Sequence, residues 1–229
     1  MKNDTLLMDL PLFPLKLVFF PGQVIPLHIF EPRYREMINF CIETESPFGI
    51  VLIKEGEAEG DTDTVPYEIG TAAKILGVER LEDGRMNVTV VGTKRFRVNH
   101  LDYSKNYLSG DVNHYPVING GTQRAQQLAQ QVRPKVIEYV NAISDASKSQ
   151  LPLDKLPEDP TSLAFLVAMA MPFPNDEKQR LLGLPGIPEL LARENYLLWR
   201  EVSILHHMLK TQMEIVAQTT GPTGYIFPN

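Results

Sequence analysis

The chain has 229 residues, 43% hydrophobic and 22% charged, which is enough apolar material for one large domain or two small ones. A net charge of −6 disfavours nucleic acid and anionic membranes as partners, because an acidic surface repels phosphate. The single cysteine, Cys41, excludes an intramolecular disulfide and a cysteine-based zinc cluster, in keeping with a reducing cytoplasmic setting.

The opening residues, MKNDTLLMDLPLFPL, carry Asp4, Asp9 and proline breaks, so they lack the form of a signal peptide. LVFF (17–20) ends at Pro21-Gly22, a turn signature, and VIPLHIF follows as an extended segment. Pro26 inside it predicts an edge strand or a bulge. Pro32 suits a first helical position, and Tyr34, Met37, Ile38, Cys41 and Ile42 then form one apolar helical face. FGIVLI (48–53) reads as a buried strand, and KEGEAEGDTDT (54–64) as a polar connector. In the run 69–98, Asp83-Gly84 separates two extended segments and predicts a hairpin. Met86, Val88 and Val90 alternate with polar residues, so one face is buried. Arg95 and Arg97 share a face opposite Phe96. Many short strands with turns predict a closed or nearly closed barrel.

Asn119-Gly120-Gly121 marks a joint between a strand-rich part (1–119) and a helical part (120–229). Thr122 is a candidate N-cap for a helix carrying Leu128, Val132, Val136, Tyr139 and Ile143; Pro134 within it predicts a kink or a division. Asp159-Pro160 starts a helix over 161–171 that Pro172 ends. Its apolar run is far too short to cross a bilayer. Asn175 is a candidate cap for a short helix, and Gly186-Ile187-Pro188 leads into a long helix to about 217. The apolar stripe of that helix, from Leu190 and Leu191 to Val216, is broad enough to pack against several helices.

Few residues offer chemistry. No two glycines have the spacing of a phosphate-binding loop or a dinucleotide fingerprint. His206 and His207 are adjacent, so their rings diverge on a helix and do not form a metal pair. His28 reads as a residue at the edge of a core. Cys41 lies on an apolar helix face, where a thiol is inert packing. Glu55, Glu57, Glu59, Asp61 and Asp63 could hold calcium loosely, but their spacing does not match an EF-hand, and they read as a solvated connector. Lys94-Arg95-Phe96-Arg97 with His100 is the compact basic cluster; it could touch RNA or pair with nearby acids. No catalytic residue, cofactor or metal is expected.

Three ordered blocks carry a family resemblance. LPLFPLKLVFFPGQVIPLHIFEPRYREMI resembles the opening of the Lon protease N-terminal domain, also called the Lon substrate-binding domain. The run from IGTAAKIL to VTVVGTKRFRV is similar to that domain's central hairpin and following strand, and AMAMPFPNDEKQRLL with RENYLLWREVSIL to its helical part. The resemblance covers about residues 10 to 215. It implies an α+β fold, a PUA-like, partly open β-barrel followed by an α-helical bundle. It also implies recognition of protein substrates and help in assembly, without the ATPase and serine–lysine peptidase that follow this domain in full-length Lon. The chain ends about a dozen residues after its last expected helix, so a peptidase label is not expected to apply.

The leading expectation is a non-enzymatic, cytoplasmic, proteolysis-related module. Its partners would be unfolded or partly folded proteins, with a protease or chaperone beside them. Phe19, Phe20, Met169, Met171 and Phe173 are its candidate apolar contacts, although core packing is the favoured reading of each. The alternative is an RNA-binding PUA-like protein using Arg95 and Arg97. Tyr225, Ile226 and Phe227, on a Gly/Pro-rich tail, could dock in a groove of their own chain or of a neighbour, or equally form a merely exposed tail.

Overall fold

Prolines and glycines steer the first half. The computed structural model describes residues 6–56, 64–147 and 156–219. Its strand-rich part runs β1 (Leu6–Leu15), β2 (Val24–Ile29), α1 (Pro32–Glu43), β3 (Phe48–Glu55), β4 (Val65–Pro66), β5 (Ile69–Arg80), β6 (Met86–Asp102) and β7 (Ser109–His114). The helical part runs α2 (Gln123–Ser147), α3 (Pro160–Ala170), α4 (Asn175–Gly183) and α5 (Ile187–Thr219).

The sheet is mixed and mostly antiparallel. β1 pairs with β7, β7 with β6, β6 with β5 and β5 with β3, all antiparallel. β3 then pairs in parallel with β1, so the path of hydrogen bonds returns to its starting strand. β1 reaches both neighbours by dividing its length. Leu6 to Pro11 face β7, and Leu12 to Leu15 face β3. The division falls beside a shift in register, where Asp9 adopts φ 58°. The first strand is thus Leu6–Leu15, and LVFF is irregular chain leading into the Pro-Gly turn rather than a strand. β2 pairs with β6 alone among the described strands, and that edge position tolerates the missing N–H of Pro26.

The short helix expected to start at Pro32 forms as α1, with Pro32 in its first turn and Tyr34, Met37, Ile38 and Cys41 buried. Thr122 Oγ1 accepts the Ala125 N–H, and Asp159 accepts the Ser162 N–H at 2.8 Å, so both expected N-caps are made. Asn175 does not cap α4. It is the helix's first residue, and its Nδ2 donates to the Lys16 carbonyl at 2.8 Å. α2 continues through Pro134, which is exposed, so proline does not divide it.

Core packing crosses the joint between the two parts. The largest apolar cluster joins Val18, Phe20, Leu52 and Ile69 to residues of α2, α3, α4 and α5. A second cluster packs Phe19, Phe48, Met86, Val88 and Val90 against α1, and a third packs Leu12, Val51 and Phe96 inside the strands. Polar ties accompany the packing. Gln179 Nε2 donates to the Ile69 carbonyl at 2.9 Å, and the Tyr115 hydroxyl to Gly183 at 2.9 Å. Ile118 bridges to Gly186.

Candidate functional site

The five apolar candidates are all part of the packing. Phe19 and Phe20 are 1% and 0% exposed and lie in different clusters. Phe20 meets Phe165 with ring centroids 6.4 Å apart. Met171 and Phe173 are buried in the same cluster as Phe20, and Met169 is half-buried against it. These positions thus lie where core packing, the favoured reading of the sequence, puts them. Each of these side chains fills the seam between strands and helices.

The basic cluster divides in two. Arg95 and Arg97 do share a face, with both guanidinium groups over the Tyr115 ring, at 4.7 and 4.9 Å, while Phe96 packs inside the strands. Arg97 is exposed. Arg95 is 2% exposed, and its Nη1 donates to the carbonyls of Leu182 and Leu184 at 2.6 Å each. It ties β6 to the end of α4, where helix carbonyls attract a cation. Burial pushes its pKa down to about 10, so it stays charged at neutral pH. Arg95 is therefore not placed to meet RNA.

The cluster borders a concavity, which Lys94, Arg95 and Phe96 help to line together with His114. A cleft of about 820 Å³ opens between β5 and the C-terminal end of α1. Ile42, Ile75, Leu76 and Val78 supply apolar wall, and Lys74 and Lys94 supply charge. Leu76 and Val78, both on β5, are 56% and 38% exposed. Cys41 also lines the cleft, where burial pushes its thiol up to about 11 and leaves it unreactive. The far end of the hairpin is held to α1, since Arg80 Nη2 donates to Asn39 Oδ1 at 3.0 Å. LGVER was legible as strand, but not as exposed strand. Its exposure depends on where β3 begins, and the signal available for that was Pro47 just before FGIVLI.

A second exposed apolar surface lies on α5, where Tyr196 and Trp199 sit with ring centroids 6.5 Å apart and Ile204 and Met208 follow. On the same helix Glu194 is fully buried, and neither carboxyl oxygen has a hydrogen-bond partner. Burial alone raises its pKa well above the ordinary carboxylate value. The folded state therefore holds a proton that the unfolded state releases above the ordinary value. Stability is fully present below the unfolded pKa and falls as pH rises from there through the folded pKa. Glu194→Gln removes this titration. The parent is expected to lose melting temperature relative to the variant as pH rises from about 4 to about 8. Parallel melting curves across that range would refute the assignment.

Two of the histidines have polar partners. His28 is exposed rather than at a core edge, with Nδ1 2.8 Å from Asn87 Oδ1. His206 Nε2 lies 3.8 Å from Glu138 Oε1. No group of three or more candidate metal ligands gathers among the described residues. Of the acidic connector, Glu55 is exposed, while Glu57, Glu59, Asp61 and Asp63 lie outside the described residues, as do Tyr225, Ile226 and Phe227. No helix among the described residues is long and apolar enough to cross a membrane.

The model of the ATP-dependent protease La (LON) substrate-binding domain family matches residues 9–200. Lon protease 1 of Hydrogenovibrio crunogenus is 26% identical over 193 residues, covering 82% of this chain and 23% of the relative. The Lon protease of Escherichia coli is 23% identical, covering 90% of this chain and 27% of the relative. The chain thus spans about a quarter of the length of the curated relatives it matches. Among solved structures, a Lon N-terminal domain protein from Xanthomonas campestris is similar at 26% identity with a TM-score of 0.60, over 82% of this chain and 96% of that one. The N-terminal domain of the Mycobacterium avium complex Lon protease gives a TM-score of 0.64 at 20% identity, over 85% and 98%, a likeness of fold alone.

Proposed function

We propose, from the premise that this chain belongs to the ATP-dependent protease La (LON) substrate-binding domain family, that it recognises polypeptides and acts by binding alone. The observation that carries the reading is the apolar cleft beside β5, in which Leu76 and Val78 stand exposed. Exposed apolar surface rimmed by charge is what an unfolded segment seeks and a folded, polar protein surface does not. The ligands are unfolded or exposed apolar segments, delivered to or taken from a protease or chaperone in the cytoplasm. We read the returning path of strands as a PUA-like barrel, partly open because β2 and the far half of β5 lie off the ring. The helical part, from residue 120 on, is its buttress.

Nothing favours RNA over this reading. The cluster proposed for it loses Arg95 to the interior, and the chain carries a net charge of −6. Fluorescence anisotropy with reduced, carboxymethylated α-lactalbumin, a permanently unfolded probe, tests the proposal against native α-lactalbumin. The unfolded form should bind at least tenfold more tightly. Equal affinity for both, or no binding to either, would sink it.

A further inference from the structure

Antiparallel pairing between β3 and β5 stops early. Phe48, Gly49 and Ile50 face Ala73, Ala72 and Thr71, and the pairing goes no further. Continued in the same register, the chain before Phe48 would lie along Lys74 and beyond. Instead Pro47, which has no N–H, and Glu45, at φ 51°, turn it away. The Ser46 N–H donates to the Cys41 carbonyl and the Glu45 N–H to Ile42, folding this segment back on α1. β5 runs on to Arg80, paired with β6 along one side. Among the described residues no strand pairs with its other side from Lys74 to Arg80.

The cleft takes in that vacant position, with residues 41–47 on one side and Lys74 to Val78 on the other, and it continues over the sheet to Thr93–Phe96 of β6 and His114 of β7. Lys74 to Arg80 offers about 20 Å of open edge at roughly 3.3 Å per residue. Gly77 stands in its middle, next to a register shift, and a Cβ there would meet nothing within 4 Å. A glycine so placed lets another backbone come close. Unpaired N–H and C=O groups on a sheet edge are a template for an incoming strand.

We propose that the cleft takes an extended segment of a client polypeptide as an added strand on the Lys74–Arg80 edge of β5, continuing the line of β3. This rests on the recognition reading above and specifies its mode. Main-chain hydrogen bonds supply affinity without demanding a sequence. Ile42, Leu76 and Val78 select apolar side chains, and Lys74 and Lys94, against Glu45, favour segments that also carry acids.

The test uses the whole chain and carboxymethylated α-lactalbumin. Hydrogen–deuterium exchange should show new amide protection confined to residues 74–80 on saturation. Val78→Asp and Lys74→Glu, both at exposed positions, should each weaken binding at least tenfold with melting temperature unchanged, and Trp199→Glu on α5 should leave it intact. A binding peptide cut from the probe should lose affinity when alternate backbone nitrogens are methylated in one phase and keep it in the other. Binding with protection elsewhere, or lost through Trp199→Glu instead, would overturn strand addition and leave polypeptide recognition standing. Binding that is absent altogether would overturn both. Protection of 74–80 that rises with protein concentration alone, with a dimer in solution, would overturn the client in favour of a second copy.

Discussion

Arg95→Leu should lower unfolding stability by about 3 kcal/mol, since hydrogen bonds to a charged group contribute roughly 1.5–3 kcal/mol each and Arg95 makes two. Both acceptors, Leu182 O and Leu184 O, sit at the end of α4 with their partner 2.6 Å away. Leucine would leave both facing an apolar side chain, the first at a buried and the second at a half-buried contact. Some of the loss is offset, because the cation is itself buried and its Nε and Nη2 have no partner. The offset is incomplete because two carbonyls go unmatched. Arg95→Lys, which keeps the charge and can reach one carbonyl, should lose less. Urea denaturation of the three proteins decides it. A leucine variant within about 0.5 kcal/mol of the parent would show that the tie contributes nothing. Charge reversal at Arg95 is thus a poor probe of RNA binding, since it would break the seam between strands and helices. Arg97→Glu, at an exposed position, is the informative change.

Gly92→Ala should cost a comparable amount, about 3 kcal/mol, at the upper end of overpacking penalties. Gly92 faces the Pro-Gly turn of the opening segment. It accepts the Gly22 N–H at 2.9 Å and donates its own N–H to the Gln23 carbonyl at 2.8 Å. A Cβ on Gly92 would overlap the Phe20 carbonyl oxygen and lie 3.2 Å from the Phe19 ring. The obstacle is backbone held by two hydrogen bonds, so it cannot swing aside as a side chain would. Gly77→Ala is the matched control, since its Cβ would meet nothing within 4 Å, and it should be close to neutral. Equal denaturation midpoints for Gly92→Ala and the parent would contradict the account.

Much of this frame was legible from residue order. The alternation of Met86, Val88 and Val90 marks the buried face of β6, and all three are buried. The helical spacing of Tyr34, Met37, Ile38 and Cys41 marks the inward face of α1. Asp159-Pro160 places the start of α3 because cap and first-turn proline act within one turn. What was not legible depends on distant partners. Phe19 and Phe20 look like a contact pair beside a turn until the helices that cover them are in place. Arg95 reads as a surface cation because nothing local announces the carbonyls of Leu182 and Leu184. The cleft is hardest of all, because it is defined by a strand that stops.

Seating Phe20 against Phe165 also has a consequence for how the chain is made. Leu6 cannot find Asn113, nor Phe20 its helical cover, until the distant stretch has left the ribosome. Closing such long loops costs entropy before any contact repays it, so the transition to the native state is slow and late. Until α3 emerges, Val18, Phe20, Leu52 and Ile69 face water together, a sticky nascent surface. The chain thus passes, during its own synthesis, through a stage in which part of its future core stands open to water.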